Sequence, residues 1–251
     1  QYMRPEIMGM IIGAFISAIA FSDFKPRSTG VPVIKFVLGA FAMIGALVFL
    51  GCPWRALLRI AGGDLNGIIG LAGLIAGIFI GTRFFAIGYN PGKASPTDKS
   101  AGLVVPVMTV LLLILMFVFR PDSEGSILLY SSKGPGAMHA PVLISLAAGL
   151  FVGFILQRSR LCTVGGFRDL ILFKQTHLFW GLLSLVAAGI VMNLIFGSFN
   201  VGIDNQPIAH SLFVWNFLGM VLAGLAFTLA GGCPGRQLIM AGEGSGDAAI
   251  F

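Results

Sequence analysis

The chain has 251 residues, 57% of them hydrophobic and only 10% charged, with a mean hydropathy of +0.94. A soluble domain carries about a quarter charged residues, so this composition excludes a soluble enzyme, a disordered protein and a nucleic-acid-binding module. The net charge of +6 reads as Lys and Arg in cytoplasmic loops rather than as a surface for a polyanion.

A membrane span needs about 20 mostly apolar residues. Seven complete candidates follow in chain order, at 6–21, 33–51, 66–88, 102–119, 141–157, 177–199 and 211–231, and an eighth begins near 247. They predict an all-α polytopic membrane protein, with lipid around it. Segment 102–119 has no charge and almost no glycine, which marks it as lipid-facing. The others are studded with small residues, as in GIIGLAGLIAGIFIG (67–81). Small residues let helices approach closely, so these spans are expected in the packed interior. Loop 22–35 carries Lys25, Arg27 and Lys35, loop 89–101 is rich in Pro, Gly and Ser, and loop 120–140 is polar. Loop 200–210 carries Asp204 and no Lys or Arg.

Two stretches read alike: LGCPWRALLRIAGGDLNG (50–67) and GGCPGRQLIMAGEGSGDA (231–248). Both run Gly-Cys-Pro-x-Arg, then Ala-Gly, an acid and small polar residues. Each follows a Gly/Ala-rich span, FVLGAFAMIGALVFL (36–50) or NFLGMVLAGLAFTLA (216–230). The matched flanks predict an internal duplication. The first half occupies 1–101, a connecting span and interfacial loop 102–140, and the second half 141–251. The polar cluster QRSRLCTVGGFRD (157–169) has no counterpart before Cys52, and the span after the second motif only begins before Phe251. Both halves are therefore expected to be trimmed, the first at its N-terminus and the second at its C-terminus. Span 6–21 matches span 177–199 at an odd offset, and the first of the two following loops is basic while the second is not. This predicts halves of opposite orientation, an inverted repeat with broken helices, as in transporters.

All three cysteines fall in Gly/Arg-rich breaks. Proline is favoured at the first helical position. Pro53 and Pro234 are therefore expected to start short, re-entrant helices, with Cys52 and Cys233 at the caps after Gly51 and Gly232. A helix N-terminus attracts anions. Arg55 and Arg236 follow on the first turn, and a charge at membrane depth usually faces a path or the bundle interior. Cys162 is flanked by Arg158, Arg160 and Arg168, with Asp169 expected to pair with one of them. Thr163 offers a hydroxyl. A lone cysteine in a membrane helix is more often a small packing residue, but the repeat relation and the arginines favour a pathway. Thiols bind a soft, polarizable anion loosely enough to release it, as conduction requires.

At these residues the sequence resembles the YeeE/YedE family of bacterial inner-membrane proteins, which includes thiosulfate uptake transporters, and within it the YedE-type selenium transporters. The resemblance rests on IGALVFLGCPWRALLRIAGGDLN (44–66), SKGPGAMHAPVLISL (132–146), SRLCTVGGFRDLILFKQTHL (159–178) and GGCPGRQLIMAGEGSGDAAI (231–250). It implies a multi-pass inner-membrane transporter, not an enzyme, that takes up a small sulfur or selenium anion. It also implies that Cys52, Cys162 and Cys233 pass the anion along a central path through S–H···S contacts. No cofactor, metal or nucleic acid is expected, and a soluble sulfur- or selenium-carrier protein is a candidate partner on the cytoplasmic side. Two other classes stay open: a membrane thiol enzyme (a sulfur-transferase or disulfide oxidoreductase, for which the fold would bring Cys52 to Cys233), and a non-transporting docking subunit for a carrier.

Overall fold

The computed structural model describes residues 4–118, 140–203, 206 and 209–251. Phe119, most of the polar loop 120–140 and Asp204 lie outside the described residues. The described helices are α1 (Pro5–Ala20), α2 (Pro32–Phe49), α3 (Pro53–Ala61), α4 (Leu65–Ala86), α5 (Lys99–Val118), α6 (Val142–Ser159), α7 (Thr163–Phe173), α8 (His177–Ile195), α9 (Phe213–Ala230), α10 (Pro234–Gly242) and α11 (Gly246–Ile250). This is an all-α polytopic membrane protein. Among the described residues, six helical stretches are long and apolar enough to cross a membrane: Pro32–Ala61, Leu65–Ala86, Lys99–Val118, Val142–Phe173, His177–Ile195 and Phe213–Gly242. Three of these are helix pairs with a break inside. The expected first span corresponds to α1, whose 16 residues rise about 24 Å at 1.5 Å per residue, short of a hydrocarbon core of about 30 Å. On α5, Val104, Val107, Leu111, Ile114 and Val118 are all exposed, and at helical spacing they form the apolar stripe that lipid would cover.

The chain forms two compact units. One comprises Gln1–Gly30, Ala94–Arg160 and Leu238–Ala249; the other comprises Val31–Lys93, Leu161–Gln237 and Ile250–Phe251. In the first, α1 packs along α6. A Cβ at Gly13 would collide with the Leu150 carbonyl, and one at Gly153 with the Met10 carbonyl. Ser17 Oγ donates to Gln157 Oε1 at 2.8 Å inside this seam. The loop after α1 forms a two-residue strand, β1 (Arg27–Ser28), antiparallel to β2 (Ser95–Pro96). The sequence reading took both segments as plain loop, because two residues carry no alternation to read.

In the second unit, α9 is the central element, packed against α2 and α4. Gly45 meets the Gly219 carbonyl, and Gly77 meets the Val221 carbonyl. Such approaches need hydrogen at the Cα, which accounts for the glycine content of these spans. The core around them holds Phe49, Leu74, Ile78, Met220 and Phe227. Helix ends within it are closed by long polar side chains. Arg59 Nη1 donates to the Phe49 carbonyl at 3.1 Å, closing α2, and Arg59 Nε bonds the Asp64 carboxylate at 2.5 Å. Lys35 Nζ donates to the Ala230 carbonyl at 3.2 Å, closing α9.

The two motif-bearing stretches share one pattern of elements. Helices α9, α10 and α11 start 181 residues after α2, α3 and α4, at Phe213, Pro234 and Gly246 against Pro32, Pro53 and Leu65. The breaks after the short helices are held alike. Asp64 makes a parallel bridge to Gly202, and Ser245 makes one to Arg27. Asn66 Nδ2 donates to the Ile203 carbonyl at 2.8 Å. At the matching place, Asp247 accepts from Ser28 Oγ at 2.8 Å and from the Thr29 N–H at 3.0 Å.

A methyl group at Gly77 has nowhere to go but the α9 backbone. We expect Gly77→Ala to lower stability by about 1–3 kcal/mol, the usual range for overpacking. Thermal unfolding in detergent checks this, and an unchanged Tm would contradict the tight α4–α9 seam.

Candidate functional site

Each cysteine sits at a helix start. Cys52 has extended backbone (φ −84°, ψ 172°) and is the cap of α3, with Pro53 at the first helical position. Its carbonyl accepts the first helical hydrogen bond, from the Ala56 N–H at 3.0 Å. Cys233 immediately precedes α10 and accepts from the Gln237 N–H in the same way, also at 3.0 Å. The Gly-Cys-Pro reading of both helix starts therefore agrees with the geometry. The third case was missed. The cluster QRSRLCTVGGFRD is a break followed by a helix, and Cys162 (φ −147°, ψ 125°) caps α7. Its residues carry no proline at the first helical position, so the usual marker is absent. Gly165 and Gly166, poor helix formers, further hide the helix.

The structure brings Cys162 and Cys233 together. The Cys162 sulfur accepts the Gly165 N–H of its own helix at 3.3 Å. It also accepts the Cys233 N–H at 3.3 Å. The Cys233 sulfur lies close to the backbone of Arg236, on its own helix, and of Thr163, on the other. The two thiols neighbour each other across the two helix starts. Two helix N-termini thus face one pair of sulfurs. Helix N-termini leave free N–H groups that need acceptors, and burial makes an unmet donor costly. Cys233 is 0% exposed and Cys162 5%, whereas Cys52 is half-buried. All three are free thiols. The thiol-enzyme alternative placed Cys52 beside Cys233; the contact found is between Cys162 and Cys233.

The two arginines of the motifs behave alike. The Arg55 side chain folds over Gly51, where a Cβ would come within 2.8 Å of its Cδ. The Arg236 side chain folds over Gly232, where a Cβ would be 3.1 Å from its Cγ. The glycine before each cysteine therefore makes room for the arginine after it. Among the acids of the motifs, Asp64 pairs with Arg59 and Glu243 with Arg27, the latter at 3.6 Å. Around Cys162, Arg168 pairs with Asp169 at 2.9 Å, as expected for one of the three arginines. Arg158 reaches Asp23 at 3.2 Å and lies over the Phe21 ring. Arg160 is exposed and closes α6 in the left-handed region, φ 53°.

Trp54, between Pro53 and Arg55, suits an interface anchor or a packing residue, as Trp does in membrane proteins. It packs against the start of α10, where a Cβ on Gly235 would be 3.0 Å from the indole ring. Trp54 and Gly235 occupy the same place in the two motifs. Among the described residues, no group of three His, Cys, Asp or Glu side chains could hold a metal ion.

Comparison with known proteins adds a family. Residues 158–251 match the family described as Sulphur transport. Two relatives are named thiosulfate transporter TsuA. The one from Escherichia coli (strain K12) is 32% identical over 107 residues, 43% of this chain and 30% of the relative. The one from Spirochaeta thermophila is 34% identical over 99 residues, 39% of this chain and 29% of the relative. The chain thus spans under a third of the length of either relative. Both are named as transporters.

The pairing is open to a direct check. Mild oxidation of the membrane-embedded protein is expected to join Cys162 to Cys233 and leave Cys52 free for alkylation. Peptide mapping that found Cys52 joined to either of the others would contradict the geometry.

Proposed function

We propose that this chain, whose residues 158–251 match the family described as Sulphur transport, is a YeeE/YedE-type protein that carries a small sulfur-containing anion across a membrane past its cysteines. Thiosulfate, the cargo in the names of both relatives, is the substrate we assign; a selenium analogue suits the same donors. The reading is carried by one observation: two buried thiols share the N-termini of α7 and α10.

A backbone N–H from each helix start, Gly165 on α7 and Cys233 before α10, converges on the Cys162 sulfur. These N–H groups supply fixed partial positive charge without a mobile cation. An anion with a soft terminal sulfur can take the place of one thiol as acceptor. The thiol S–H then turns to donate to the anion. Thiols are weak donors, so the anion is held without being trapped, and no covalent bond forms. Arg55 and Arg236 hold the loops that present Cys52 and Cys233, and Arg168 lies on the helix that Cys162 starts. The path runs between two halves, 1–101 and 141–251, duplicated in inverted orientation and joined by 102–140. Cys52 serves the first half as Cys233 serves the second.

Cells without their own thiosulfate uptake, expressing the intact protein, are expected to accumulate radiolabelled thiosulfate. Cys233→Ala is expected to abolish uptake at unchanged membrane levels, since Ala fits where a small thiol stood. Wild-type uptake in that variant would overturn the thiol path.

A further inference from the structure

Two polar groups beside the thiol pair have no hydrogen-bond partner among the described residues: the Trp54 indole N–H and the Thr163 hydroxyl. Thr163 is fully buried. A buried donor without a partner is costly enough that native proteins rarely keep one, and here one belongs to the residue after Cys162 and the other to a ring packed two residues past Cys233. Both lie in the same unit as the thiols.

Their positions are tied to the cysteines. Thr163 follows Cys162 at the first position of α7, and its backbone lies close to the Cys233 sulfur. The Trp54 ring lies over Gly235, two residues after Cys233. A Cβ on Gly235 would be 3.2 Å from Trp54 Cε2, the carbon that bears the indole nitrogen. The surroundings are apolar: Ala56, Leu57, Val164 and Phe167 belong to the same buried cluster. The only nearby carboxylate on α7, Asp169, is bonded to Arg168.

The chemistry of the donors is complementary. Thiols are soft and suit sulfur or selenium. An indole N–H is a donor only, and a hydroxyl can donate as well as accept; both suit oxygen. We propose that Trp54 and Thr163 bind the oxygen end of the cargo while Cys162 and Cys233 hold its soft end. The site therefore selects a chalcogen oxyanion with a terminal sulfur and discriminates against bare hydrosulfide or hydroselenide. A site built to hydrogen-bond a group rejects analogues that lack it, because its buried donors are left unpaired. This inference rests on the transport reading above and adds the two residues that set specificity.

The test uses the intact protein, with uptake kinetics and a separate binding signal. Trp54→Phe keeps the ring and removes the N–H. Thr163→Val keeps the shape and removes the hydroxyl, and Thr163→Ser restores it. The KM for thiosulfate is expected to rise roughly tenfold in Trp54→Phe and in Thr163→Val, the equivalent of one lost hydrogen bond, and to return toward wild type in Thr163→Ser. Wild-type KM in both, with uptake still abolished by Cys233→Ala, overturns this inference and leaves the thiol path standing. Uptake that survives Cys233→Ala overturns the underlying reading instead. Should Trp54→Phe fail to fold, the contrast between Thr163→Val and Thr163→Ser decides. For binding, Trp180→Phe with Trp215→Phe leaves Trp54 as the only tryptophan of the three. Its fluorescence is expected to change on adding thiosulfate, and not on adding hydrosulfide. No response to saturating thiosulfate overturns the proposal.

Discussion

Unmet hydrogen-bond donors at buried helix starts are the constraint on which the site depends. A helix that begins inside an apolar bundle exposes N–H groups that water cannot reach. Oxygen caps are the usual answer. Here α7 and α10 meet the need with sulfur, and the start of α10 borrows the cysteine of α7. The arrangement closes two helix starts with one small side chain. It also leaves the acceptor weak, so that a better acceptor can displace it. In the proposed reading, the features that stabilise the resting state are the ones that make it receptive to an anion.

The rest of the fold serves to hold those starts in place. Both motif stretches end a long helix, turn through glycine, run a nine-residue helix and turn again at an acid. The second turn is pinned by a side chain one residue into the next helix, Asn66 in one case and Asp247 in the other. Buried cations close the long helices where they end: Arg59 at Phe49 and Lys35 at Ala230. A charge buried in this way is costly unless bonded, and each has a carbonyl or carboxylate to bond. The glycine-lined seams of α9 bring the second motif close enough to the first for Trp54 to rest on Gly235.

Most of the helices were legible in the sequence, because length and hydropathy mark membrane spans strongly. The helix starts at Cys52 and Cys233 were legible too, since proline after the cap is a local signal. What the sequence hid depends on tertiary contact. Cys162 starts a helix without a proline. Its bond to Cys233 joins residues 71 apart, and no spacing rule reaches that far. Trp54 read as an interfacial anchor or a packing residue, as Trp usually is in membrane proteins; its partner, the bare backbone at Gly235, was not legible. The pairings of Arg59 with Asp64 and Arg27 with Glu243 were likewise unread, since Arg55 and Arg236 stood nearer the motif.

The central claim is that the cargo meets the Cys162–Cys233 pair directly. The most direct measurement is the rate at which a small water-borne thiol reagent modifies each cysteine, with and without thiosulfate. The account predicts that thiosulfate slows modification of Cys162 and Cys233, and that sulfate, which has oxygens but no terminal sulfur, protects far less. Equal rates with and without thiosulfate, in protein that still takes it up, would contradict the account.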